Sequence, residues 1–366
     1  MNSLWIGIAL AGAAALAVFG CAAPLPSTDL PPTRIVAPAR DFPELRDYRG
    51  VIDLQLKGSG LDQAGIADLA RAAQLDFITL GDDAEPGAAN YGTGGFTSAI
   101  LFIPGGAFKI GGGEIVGLNI HDPIAVGSSV PALVDAIHSQ GGLALARAPS
   151  RFTAPGDYGL ADAIEVYDQS AVWRARNPFA LKLGAMFLGT DHFLAELDSL
   201  APAEIGAYDR LTEGARVALV AGFGAPANIN ALGATVGTWQ QLFLFYATHV
   251  LATERETDPV VDAIKQGRVY VSFDFLGYVQ DFAFYGQSGA TKIMMGSEAP
   301  FAAGVTLETE LPDPADRIVI FKNGVEAGST QSAANFAYLP KSAGDYRVVA
   351  YRRGVPWIIS NPVYLR

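Results

Sequence analysis

From Tyr48 to about Gly277, short apolar runs alternate with stretches of helical period, and that alternation limits the chain to few architectures. Val51–Leu54, Phe77–Leu80, Ile100–Ile103, Ile115–Leu118, Gly142–Ala146, Ala163–Tyr167 and Val217–Val220 read as strands. Asp62–Ala73, Val130–Ser139, Gln240–Thr253 and Pro259–Gln266 read as helices. Strands and helices in turn with short connections predict a parallel sheet wrapped by helices, open or closed into a barrel. After Arg268 the pattern changes to closely spaced strands, and Lys322-Asn323-Gly324 is a hairpin signal because Asn-Gly accepts positive φ. The last stretch, from about residue 278 to 366, therefore reads as an antiparallel β-sandwich. Half of the residues are hydrophobic, enough for a large core. Lys and Arg number 25 against 37 Asp and Glu, and a net charge of −12 with no basic cluster excludes nucleic acid as a partner class.

The N-terminus carries a different signal. Met1–Gly20 has no charged side chain, Leu4–Gly20 is almost wholly apolar, and the run closes on Val18-Phe19-Gly20-Cys21. A short apolar stretch ended by small residues is the pattern of a cleaved export signal. It resembles a bacterial lipobox with Cys21 as the lipid acceptor, although Phe19 is bulky and the n-region lacks Lys or Arg. An uncleaved anchor over residues 4–23 and a plain secretory signal are the competing readings. Cys21 is the one cysteine, so an exported fold stands on its core without an internal disulfide. Ala22 follows it, as in lipoproteins sent to an outer membrane. Pro24, Pro26, Pro31, Pro32, Pro38 and Pro43 then mark residues 21–45 as a tether that sustains neither helix nor internal strand.

Motifs in the body carry a resemblance. Tyr48-Arg49-Gly50-Val51-Ile52-Asp53-Leu54-Gln55, then Asp76-Phe77-Ile78-Thr79-Leu80-Gly81-Asp82-Asp83, resembles the opening of PHP-domain metal-dependent phosphoesterases. The order continues through Ile103-Pro104-Gly105, Ala136-Ile137-His138-Ser139, Ala163-Ile164-Glu165-Val166-Tyr167 and Ala263-Ile264-Lys265-Gln266-Gly267-Arg268. The resemblance implies a distorted, TIM-like (β/α)7 barrel over residues 46–277, with its site at the strand C-termini, followed by a β-rich domain over 278–366.

Family members hold two or three metal ions that activate water and neutralise phosphoryl oxygens. At the positions where the family has its ligands, this chain keeps Asp82. It has Asp53, Gln55, Asp83 and Glu114 where an oxygen or amide ligand remains, and Ala107, Ala148, Gly224 and Pro226 where none does. Losing ligands from several sides of a metal cluster removes both affinity and geometry. Asp53, Asp82, Asp83 and Glu114 are thus candidates for a residual all-oxygen site suited to Mg²⁺ or Ca²⁺, or else for helix caps and turn partners. Gln55 and Arg147 are candidate ligand-binding residues; Arg147 and Arg151 flank Ala148-Pro149 and could meet an anion or serve in surface pairs. Of the four histidines, His138 is expected on an exposed helix face, His121 in a turn and His249 mid-helix, with His192 the one left as a possible ligand. No Gly-x-Ser-x-Gly elbow is present, and Gly111-Gly112-Gly113 precedes a strand and not a helix.

The expectation is a lipid-anchored protein of the cell envelope, on a membrane facing the periplasm, with a non-catalytic binding or scaffolding role toward a small molecule or an envelope protein. No cofactor is expected beyond weak Mg²⁺ or Ca²⁺. The alternative is a divergent metal-dependent phosphoesterase with a rebuilt acidic metal site.

Overall fold

The computed structural model describes residues 34 and 36–366, except 58, 85–90, 126–128, 169–201, 225–228, 232–233, 237 and 303. The protein is mixed α/β, with a large sheet and few helices. Cys21, Pro226 and His192 lie outside the described residues.

Strand β1 (Phe42–Leu54) is thirteen residues long and belongs to two systems. Its second half pairs in parallel with β2 (Phe77–Leu80), which pairs in parallel with β3 (Ile100–Ile103). Beyond β2 and β3 the same two chains continue as Asp82–Asp83 and β4 (Gly105–Ile110), again parallel. β5 (Gly113–Leu118) is antiparallel to β4 and to β6 (Leu143–Arg147). β7 (Ala163–Asp168) and β8 (Ala218–Gly222) follow in parallel, and Gly222 of β8 pairs with Ile52 of β1, so the pairings run in a closed circuit. Alternate residues of these strands, among them Ile52, Phe77, Val116, Leu145, Ala163 and Val220, make one buried apolar cluster.

Helices cover the connections where the apolar period demanded them. Gln63–Ala72 is capped by Asp62, whose side chain accepts from Gly65 N–H, and buries Ile66, Ala67 and Ala70. Val130–His138 and Thr257–Lys265 bury Leu133, Ile137, Val260 and Ile264. The helix expected over Gln240–Thr253 is shorter. A capping box at Thr238 and Gln241 starts it, it ends at Phe245, and Ala247–Ala252 forms strand β9. The apolar run Leu242–Leu251 is buried along its whole length, so no polar face marks where one period gives way to the other.

β9 pairs antiparallel with the first half of β1, and β10 (Val269–Ser272) extends that sheet. β10 pairs with Ile358–Ser360 of the late strand Val355–Ser360, so the later strands are hydrogen-bonded onto the earlier sheet. A long hairpin of Thr306–Lys322 and Val325–Tyr338 turns at Asn323 and Gly324, both at positive φ, as the sequence signal required. The Pro-rich segment is docked sooner than a tether to residue 45 would allow. Pro38–Ala39 pairs with β1, Arg34 forms ion pairs with Asp76 and Asp47, and Arg40 pairs with Asp281 and Glu310. Pro38 and Pro43 sit at the outer start of this sheet, where a missing N–H costs no ladder bond. Among the described residues no helix is long and apolar enough to cross a membrane.

Candidate functional site

Period two carries the inward face of the circuit past its apolar core and onto charged residues. Leu145 is followed two positions on by Arg147, which ends its strand, and Ala163 by Glu165, which lies mid-strand. β5 runs the opposite way, so its first residues arrive at the same end, and Glu114 stands across from Arg147 in the register. A cavity of about 690 Å³ opens there, with Gln55, Glu114, Arg147, Arg151, Asp168 and Gly224 in its lining.

Arg147 organises the floor. Its Nε donates to Asp53 Oδ2 at 2.8 Å and its Nη2 to Asp53 Oδ1 at 2.6 Å, a bidentate fork. Nη1 donates to Glu114 Oε2 at 2.6 Å, and Nη2 also reaches the Gly81 carbonyl at 3.1 Å. Asp53 is fully buried, at a left-handed φ of 64°, and its N–H donates to Thr79 Oγ1 at 2.8 Å. Gly81 makes the room: a Cβ there would stand 1.6 Å from Asp53 Oδ1. Burial raises the Asp53 carboxyl to about 6 even though Arg147 pulls it down, with Asp168 and Glu114 adding to the rise. The Arg147 guanidinium is held charged against its own burial by Asp53 first and by Glu165 and Glu114 behind it.

Asp53, Glu114 and Arg147 are thus brought together, and Gln55 lies on the same cavity wall. Asp82 is not part of this group. Its Oδ1 accepts from Lys57 N–H at 2.7 Å, and it faces a smaller cavity of about 320 Å³. Asp83 forms an exposed pair with Lys109 at 3.0 Å, the kind of contact that contributes little. Ala148 and Gly224 line the cavity, and Ala107 lies buried in the β4–β5 hairpin. His138 pairs with Asp162 at 2.8 Å and His121 with Asn119 at 3.0 Å, both away from the cavity lining.

Glu165 is the residue that sequence reasoning missed. It is 1% exposed, and neither carboxyl oxygen meets a donor among the described residues. Burial raises its carboxyl well above the ordinary range, and Asp168 and Asp53 reinforce the rise against Arg147. The signal was present in the motif Ala163-Ile164-Glu165-Val166-Tyr167, where alternation sets Glu165 on the face of Ala163.

This donor set does not fit a metal cluster. Both oxygens of Asp53 and one of Glu114 are taken by a guanidinium that would repel a divalent ion, Asp82 is engaged by the Lys57 N–H, and Asp83, also in the cavity lining, is paired with Lys109. No histidine belongs to the described lining. The arrangement offers hydrogen-bonding and charged groups to a ligand.

No family model matches the sequence, and no curated protein matches it. The structure is similar to a two-domain protein from Bacteroides vulgatus that is described as containing a predicted PHP-like metal-dependent phosphoesterase. The identity is 11%, the TM-score 0.42, and the match covers 91% of this chain and 99% of that one. A likeness of this degree places no residue of this chain in a role.

Proposed function

We propose that this chain is a non-catalytic binding protein of the cell envelope, built on a degenerate PHP-like domain and held at a membrane by a lipid on Cys21. In this reading residues 46–277 form a distorted seven-stranded barrel and 278–366 a β-sandwich packed on it. The closed circuit of pairings and the apolar cluster shared by its strands support the barrel. The observation that carries the functional reading is Arg147. Its guanidinium is hydrogen-bonded to Asp53 and Glu114, two of the acids that the resemblance would assign to metal, so a side chain supplies the positive charge. Weak Mg²⁺ or Ca²⁺ binding at the exposed acids is compatible with this role.

The full-length chain, purified in mild detergent, should hold less than about one equivalent of Zn, Mn or Fe by the ligand-softness argument. It should not hydrolyse phosphomonoesters or phosphodiesters above background. Stoichiometric transition metal, with hydrolysis abolished by Asp82→Ala, would replace this reading with the divergent phosphoesterase. The anchor has its own test: Cys21→Ser should leave an unprocessed chain without lipid, and a variant that migrates and partitions like the parent removes the lipoprotein assignment.

A further inference from the structure

A long strand with an unpaired outer edge is a template for a further strand, and folded proteins guard such edges with Lys, Pro or short length. Val325–Tyr338 is such a strand. It is fourteen residues long, and none of them is buried. Its one strand neighbour among the described residues is Thr306–Lys322. Every second residue therefore turns its N–H and C=O away from that neighbour. The guards are missing, for the strand contains neither Pro nor Lys. Thr291–Met294, which also has a single strand neighbour among the described residues, shows the usual treatment. It is four residues long and carries Lys292, which pairs with Asp41.

Charge and shape together indicate what this edge takes. The whole chain carries −12, so two copies repel over most of their surfaces. The strand itself has one charged residue, Glu326, and Arg317 holds it at 2.6 Å. Ser332 stands at a φ of 50°, and a Cβ on Gly328 would come within 2.7 Å of the Tyr338 ring. Ten residues of straight strand span about 33 Å, so this one folds sharply near its middle. An extended peptide does not follow such a fold, whereas an identical strand does. Laid antiparallel with Val325 opposite Tyr338, two copies set Gln331 of one against Ser332 of the other. The two bends then coincide, and the two-fold axis runs through them. Glu326 falls opposite Ala337, so no like charges face each other. We propose that this edge joins two copies of the chain, strand Val325–Tyr338 against its twin, in a symmetric dimer. No residue of the strand lines the Arg147 cavity, so the proposal stands apart from the binding reading above.

Sedimentation equilibrium of the full-length chain, in a detergent matched to the solvent density, measures the association. The parent should be dimeric at about 0.1 mM. Ala337 is exposed, so Ala337→Glu sets a carboxylate opposite Glu326 twice in each dimer. It should weaken the dimer by about tenfold or more. Ala337→Lys, at the same position, meets Glu326 with the opposite charge and should not weaken it. Circular dichroism on each variant confirms that it is folded. A parent that stays monomeric at that concentration overturns the proposal and leaves the edge to a strand from another protein. A dimer that Ala337→Glu leaves intact, or that Ala337→Lys weakens equally, overturns it too, because the contact then lies elsewhere.

Discussion

Arg49 and Arg147 are both buried in the strand framework and each grips an aspartate, but their surroundings end differently. Arg49, at 0% exposure, donates from Nε and Nη2 to Asp274 Oδ2 at 2.9 and 2.7 Å and to the carbonyls of Ala73 and Phe243. Asp274 Oδ1 accepts from Ser272 Oγ at 2.7 Å and from Val279 N–H. His249 bridges Ser272 and Asp47, and Asp47 accepts from Tyr270 at 2.7 Å. The carboxylates Asp47 and Asp274 therefore each have donors, and the network links β1, β9 and β10 as a structural brace. Asp47, His249 and Ser272 stand in the order of a nucleophile triad, yet Ser272 is fully buried and gives its proton to Asp274. Around Arg147 the network stops short, at Glu165. A closed polar network fixes structure; an open one beside a cavity leaves bonding capacity for something else.

The largest effect should come from breaking the closed network. Arg49→Met removes the cation paired with Asp274 and leaves a buried charge uncompensated, a loss of about 3–5 kcal/mol. Arg147→Met should cost less, because Glu114 is 24% exposed at its side chain and reaches water, while Asp53 is already inclined to take a proton. Urea denaturation at pH 7 measures both, and equal losses would erase the distinction between brace and site.

The two clusters should also answer pH with opposite signs. Asp47 is lowered from 3.8 to about 2: burial raises it, but His249 and then Arg34 and Tyr270 outweigh burial. A depressed folded value gives stability that is present above the unfolded value and lost as pH falls toward 2. Asp53 is raised from 3.8 to about 6, chiefly by burial. A raised folded value gives stability that is full below about 4 and lost as pH climbs through about 6, at most about 3 kcal/mol for two units. The urea midpoint should therefore rise from pH 7 to pH 5 and fall again below pH 4. Arg147→Met should steepen the loss between pH 5 and 8, since Asp53 is then left with burial and the like charges of Asp168 and Glu114, all of which raise it. A midpoint flat from pH 5 to 8 in both proteins would contradict the strain assigned to Asp53.

The sequence made one of these clusters half legible and hid the other. The resemblance set Asp53, Asp82, Asp83 and Glu114 at strand ends and Arg147 beside Ala148-Pro149, and of these the structure joins Asp53, Glu114 and Arg147 by hydrogen bonds. What alternation cannot report is a partner 94 residues away, and the fork between Arg147 and Asp53 spans that distance. The Asp82 carboxylate turned to the Lys57 N–H because a local backbone donor was unpaired there, a choice that residue type does not encode. His249 was lost with the helix boundary: in a run buried on all sides, helix and strand periods look alike. Arg49 stood within the recognised opening motif, but nothing local marks it as buried, since its partner Asp274 lies 225 residues on.

The smallest effect, and the one that separates the clusters most sharply, belongs to Glu165. Burial, Asp168 and Asp53 all raise its carboxyl, and Arg147 alone opposes them. Glutamine copies the shape of the protonated acid and cannot ionise, so Glu165→Gln should leave the urea midpoint near that of the parent at pH 5. At pH 8 the parent bears whatever cost arises from ionising an acid with no donor, and the variant does not. The variant should therefore equal or exceed the parent there, by about 1 kcal/mol or less once the penalty for a buried unpaired amide is set against it. The same exchange in the closed network, Asp274→Asn, removes the charge that Arg49 requires and should destabilise at every pH. If Glu165→Gln destabilises as Asp274→Asn does, and does so without pH dependence, Glu165 has a structural partner and the open end of the Arg147 cluster closes.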